Sequence, residues 1–157
     1  MRIALLSTSD TDLLSARASG ADYLWANPAR GVPPLDGCAL VVVRLLGSAA
    51  DLEAWRPDLE AAGAPLVVLG GEQEPNAELM ELSSVPIGVA ADAHRYLAAG
   101  GPDNLGQLHA FLSDTVLLTG KGFEPPRQIP SWGWARELPD DGRPKVGVLY
   151  YLSLIHI

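Results

Sequence analysis

Few side chains in this sequence could do chemistry, and those that could fall in three short stretches: Ser7-Thr8-Ser9-Asp10, Arg44, and Glu72-Gln73-Glu74. The first and last follow an apolar run, and Arg44 interrupts one. In a parallel sheet all three would meet at the carboxyl edge, where open α/β sheets bind their ligands. Arg44 would there offer a planar fork of donors to an anion, with hydroxyls beside a helix N-terminus. The same residues support a structural reading, in which Arg44 pairs with Asp10 or Glu72 to satisfy a partly buried charge. Ser7, Asp10, Arg44 and Glu72 are thus candidates for a ligand edge or for an internal ion pair. Glu72 and Glu74 make weak paired catalytic carboxylates, because nothing near them would raise one pKa. No residue is assigned a catalytic role.

Other reactive types offer less. His94 and His109 lie fifteen residues apart, and neither has a second ligand one helical turn away, so they read as surface or satisfied histidines rather than a metal pair. With Cys38 the sole cysteine, the chain can form neither an internal disulfide nor a thiolate cage. Ser7 to Thr11 has no glycine to let backbone wrap a phosphate, so it reads as helix capping, with Ser9 as the cap. Arg44 stands where a signalling receiver domain would need a phosphoacceptor aspartate. Trp132 and Trp134, in a proline-rich stretch, read as ties to a domain surface or as an aromatic platform.

These residues need a scaffold, and the apolar pattern supplies one. Leu66-Val67-Val68-Leu69 is continuous, as expected for a strand covered on both faces, and Gly70-Gly71 turns the chain at its end. Arg2 to Leu6, Asp22 to Ala26 and Ala39 to Leu46 read as further strands. Between them, Leu13, Leu14 and Ala18 with Arg17 outward form a short amphipathic helix closed by Gly20. Leu52, Trp55 and Leu59 form another, which Pro57 must kink or split. Residues 76–80 suit a helical turn or two, residues 83–89 an edge strand or an extended connection, and residues 90–99 a helix ended by Gly100-Gly101. Pro102 then opens a helix whose stripe is Leu105, Leu108, Leu112 and Val116, with Gly120 at its end. Strands alternating with helices predict a doubly wound α/β fold with a mostly parallel sheet and flanking helices.

The expected organisation is an α/β domain over residues 1–120 and a Pro/Trp-rich linker over 121–144. Lys145 to Tyr151 repeats the opening pattern and reads as the first strand of a truncated second α/β domain. Residues 152–157 fit that strand poorly and read as a non-native tail, or else as its simple extension. Eleven basic against nineteen acidic residues among 157 give a net charge of −8, which argues against nucleic-acid and anionic-membrane partners. Only four apolar residues follow Met1-Arg2 before a polar run, too few for a signal peptide or a membrane span, so a cytoplasmic protein is expected.

Longer stretches carry a resemblance. Leu6 to Arg17, Val41-Val42-Val43-Arg44-Leu45-Leu46-Gly47 and Leu69-Gly70-Gly71-Glu72 occur in this order, followed by Tyr96-Leu97, Gly100 to Leu105, Phe111 to Gly120 and Gly122-Phe123-Glu124-Pro125-Pro126. Together they resemble the N-terminus of the large cobaltochelatase subunit, in the CobN and magnesium chelatase family, from Met1 to about Tyr151. The resemblance implies a parent that inserts cobalt(II) into hydrogenobyrinic acid a,c-diamide during aerobic cobalamin biosynthesis, driven by ATP hydrolysis on AAA+ partner subunits. It also implies that the family's metal-insertion residues lie far beyond position 157. This piece would then bind no cofactor of its own and be non-catalytic, serving as structure or helping to enclose the tetrapyrrole. The alternatives are a fragment of a magnesium chelatase large subunit, or a stand-alone α/β binding domain for an anionic ligand.

Overall fold

The structure is a computed structural model and describes residues 1–128. Its sheet has four parallel strands in the order β2-β1-β3-β4, comprising β1 (Ile3–Ser7), β2 (Tyr23–Ala26), β3 (Leu40–Leu45) and β4 (Leu66–Gly70). The order reverses direction at β1, so the crevice between the carboxyl ends of β1 and β3 is the switch point where such folds place ligands.

The strands are apolar on both faces because both faces are covered. Ile3, Leu5, Leu40, Val42, Val67 and Leu69 point to one side, against Ala16 of α1 (Asp10–Ala18) and the stripes of α5 (Ile87–Ala99) and α6 (Pro102–Thr115). Ala4, Leu6, Val41, Val43, Leu45 and Val68 point to the other, against Leu52 of α2 (Ala49–Glu53), Leu59 of α3 (Arg56–Ala62) and Leu79 of α4 (Ala77–Met80). The period of two along each strand thus feeds two cores.

Local chemistry fixes several boundaries. Pro57 sits in the first turn of α3, where its missing N–H costs nothing, so it splits the expected helix in two. Asn76 caps α4 by accepting from the Leu79 N–H at 3.1 Å. Other boundaries depart from expectation. Ser9 occupies the cap position of α1, but its side chain makes no capping bond, and its carbonyl accepts instead from the Asp12 and Leu13 N–H groups. The inward residues of α1 are Asp12, Leu13 and Ala16, while Leu14 is 65% exposed. Residues 83–86 form no strand, and α5 begins at Ile87. Ser83 and Ser84 nonetheless bind the free edge of β4. The Leu66 N–H donates to Ser84 Oγ at 2.7 Å, the Val68 N–H to Ser83 Oγ at 2.9 Å, and the Ser84 N–H to the Leu66 carbonyl at 2.8 Å. Two hydroxyls thereby cover a row of backbone groups that would otherwise template another strand.

The segment after Gly120 is fastened to α5 and α6. Asn104, 2% exposed, donates to the Arg127 carbonyl and accepts from its N–H, both at 2.8 Å. Tyr96 Oη donates to the Glu124 carbonyl at 2.7 Å, and Phe123 meets Phe111 edge-on at 5.1 Å. The rest of the expected linker, with Trp132 and Trp134, the strand over 145–151 and the tail over 152–157 lie outside the described residues.

Candidate functional site

The register of β1 on β3 puts Ser7 beside Arg44 at the carboxyl edge. Ser7 is fully buried and Arg44 only 6% exposed, so the sheet delivers a cation into a buried site, where it must be paired. Its partner is Asp12, which α1 turns inward from its first turn. Arg44 Nη1 donates to Asp12 Oδ1 at 2.9 Å, and Ser7 Oγ donates to Asp12 Oδ2 at 2.7 Å. The Ser9 N–H in turn donates to Ser7 Oγ at 3.0 Å.

The guanidinium has further partners. Nη1 also donates to the Leu97 carbonyl at 3.1 Å, Nη2 to the Gly71 carbonyl at 2.9 Å, and Nε to the Gly70 carbonyl at 3.4 Å. Leu97 lies in the last turn of α5, whose carbonyls carry the negative end of the helix dipole and favour a cation there. Gly71 also packs tightly on the loop after β3: a Cβ on it would lie 2.5 Å from Leu46 Cγ and 3.1 Å from the Leu46 nitrogen. Arg44 therefore joins the ends of β1, β3 and β4 to the start of α1 and the end of α5.

Backbone ties close the crevice itself. The Thr8 N–H donates to the Arg44 carbonyl at 3.1 Å, and the Leu46 N–H donates to Thr8 Oγ1 at 2.9 Å, so the loops after β1 and β3 are stitched across the switch point. His94, 2% exposed, donates from Nε2 to the Glu72 carbonyl at 2.9 Å. Burial holds its pKa below the ordinary histidine value; nearby Arg44 adds to this, against the bond to Glu72. It is neutral where most proteins work. His109 is satisfied elsewhere, on the Met1 carbonyl at 3.1 Å and edge-on to Tyr23, with its pKa also lowered by burial.

Of the four candidates, Ser7 and Arg44 come together, and the residue that joins them is Asp12 rather than Asp10 or Glu72. Asp10 reaches out to Arg30 at 3.4 Å in an exposed pair, a type with little net effect on stability. Glu72 contributes its backbone carbonyl, and its side chain is exposed. Asp12, Leu97 and Gly71 complete the site and were not among the candidates.

Chemically, the arrangement resists use as an anion fork. An incoming phosphate or carboxylate would have to displace Asp12 and the carbonyls that hold the guanidinium in place, and bring a second buried charge into the edge. Two concavities, of about 230 and about 440 Å³, lie elsewhere and include none of Ser7, Asp12 or Arg44. Among the described residues no three His, Cys, Asp or Glu side chains are placed to hold a metal ion, and no helix is long and apolar enough to cross a membrane.

No family model and no curated protein matches the chain. Among solved structures it is similar to the catalytic subunit of cobaltochelatase from Mycobacterium tuberculosis, at 48% sequence identity and a TM-score of 0.79 over 91% of its residues. The match spans 12% of that subunit's length. The resemblance to cobaltochelatase read from the sequence and the parallel, doubly wound fold both hold.

Proposed function

We propose that this chain forms a scaffold domain of a cobaltochelatase large subunit. The parent would insert cobalt(II) as a substrate into hydrogenobyrinic acid a,c-diamide in the cytoplasm, with ATP hydrolysed by separate AAA+ subunits. The observation that supports this parent is the 48% identity, sustained over 91% of the chain, to a cobaltochelatase catalytic subunit.

The domain's own role is structural and non-catalytic. The carboxyl edge, the place where such a fold would bind a ligand, is filled from within by Arg44, Asp12 and Ser7. A site closed this way orders the chain ends of three strands and two helices, which suits a rigid block against which the rest of a large subunit packs.

Titration of the purified chain with hydrogenobyrinic acid a,c-diamide tests the scaffold role, read by the fluorescence of its four tryptophans. Trp25, 41% exposed on β2, and Trp55 on the opposite side of the sheet are the reporters within the described residues. The expected result is no saturable quenching. Saturable quenching would place part of the tetrapyrrole site in this domain and overturn the scaffold role.

A further inference from the structure

The chain's charge is unevenly placed. Between residues 49 and 91 there are eight carboxylates and one base, Arg56, so this stretch carries −7 of the net −8. All eight carboxylates are in exposed residues, on α2, α3, α4 and the loops beside them. Arg56, already counted in that sum, is paired with Glu53 and lies 3.8 Å from Glu60, so seven negative charges are left unbalanced within this stretch.

Within this acidic lobe lies an apolar groove of about 230 Å³ between α3 and residues 82–84. Leu52, Leu59, Leu66 and Leu82 line it together with Arg56 and Glu60, and the Arg56 charge there is countered by its pairing with Glu53 and by nearby Glu60. Leu82 is 37% exposed, and Glu81 precedes it. The volume is below the roughly 300–1,000 Å³ of small-molecule pockets and better matched to one or two apolar side chains.

Charge selects among the occupants such a groove could have. A second copy of the chain would bring another acidic lobe against this one, and an anionic bilayer would be repelled in the same way. A basic surface would be attracted, and leucines at helical spacing would give it an apolar anchor for the groove.

We propose that the groove between α3 and residues 82–84 docks a separate protein chain through a basic, leucine-bearing amphipathic helix. This stands independently of the chelatase reading, since it rests on the lobe's charge and the groove alone.

The test uses the whole 157-residue chain, isotopically labelled, titrated with a short amphipathic peptide of leucine and lysine and followed by amide chemical shifts. The expected shifts are confined to residues 52–66 and 81–84. Leu82→Asp should weaken binding by about tenfold or more, because it places a charge on the apolar wall. Glu81→Lys, which leaves the groove's apolar lining intact, should weaken it as well. A lysine-only peptide of equal charge that bound as tightly would overturn the proposal, as would unchanged affinity in a folded Leu82→Asp chain or self-association through this face.

Discussion

Asp12→Ala is the sharpest perturbation of the carboxyl edge. It leaves the Arg44 guanidinium, 6% exposed, with three backbone carbonyls and no counter-charge. Breaking a buried pair by removing one partner costs about 3–5 kcal/mol. The carbonyls, including Leu97 at the end of α5, still stabilise the cation, so the lower end of that range, about 3 kcal/mol, is expected. This is a large share of a typical domain stability of about 5–15 kcal/mol. In urea, with a slope of about 2 kcal/mol per molar, the unfolding midpoint should fall by about 1.5 M. Replacing both partners, Asp12→Leu with Arg44→Met, removes the charges together and should restore the midpoint to within about 0.5 M of the native value or above it. A midpoint shift of less than about 0.3 M for Asp12→Ala, with an unchanged amide spectrum, would refute a stabilising role for the buried pair.

Two further outcomes concern the histidines His94 and His109, and Gly71. His94 and His109 both have folded-state pKa values below the unfolded value of 6.5, so the unfolded chain binds more protons as pH falls through that region. Stability should therefore be full above pH 6.5 and decline as pH falls from there towards the folded-state values. Urea midpoints measured between pH 7 and pH 5 should show the decline, and His94→Gln, whose amide can still donate to the Glu72 carbonyl, should make it shallower while leaving the share due to His109. Gly71→Ala pushes a methyl to within 3.1 Å of the Leu46 nitrogen and should cost about 1–2 kcal/mol by urea unfolding. Combining it with Leu46→Ala should recover part of that loss, since Leu46 Cγ is the nearer obstacle.

The parallel sheet was legible because each strand is an unbroken or nearly unbroken apolar run, and Pro57 announced a helix break through its own ring. The site was half legible. An arginine inside the run Val41 to Leu45 states that a counter-charge must exist, but its partner lies 32 residues away, which no local pattern reveals. Asp12 was hidden because helical periodicity places charges outward. Arg44 makes the inward position favourable for a carboxylate, and Leu14 is left in solvent as a result. Ser83 and Ser84 were ambiguous for a related reason. They bind the edge of β4 partly through hydroxyls, so the stretch does a strand's work without a strand's geometry.

Whether this chain is a working part of a cobaltochelatase can be measured by exchange. The matched segment of the Mycobacterium tuberculosis catalytic subunit is replaced by the corresponding residues of this chain, and cobalt insertion is assayed against the unaltered subunit under the same conditions. The chimera is expected to retain insertion activity, and to keep it when the paired Asp12→Leu and Arg44→Met substitutions are introduced together. A folded chimera that inserts no cobalt would contradict the parent assignment. A chimera that is active with the native edge and inactive with the double substitution would contradict the scaffold role.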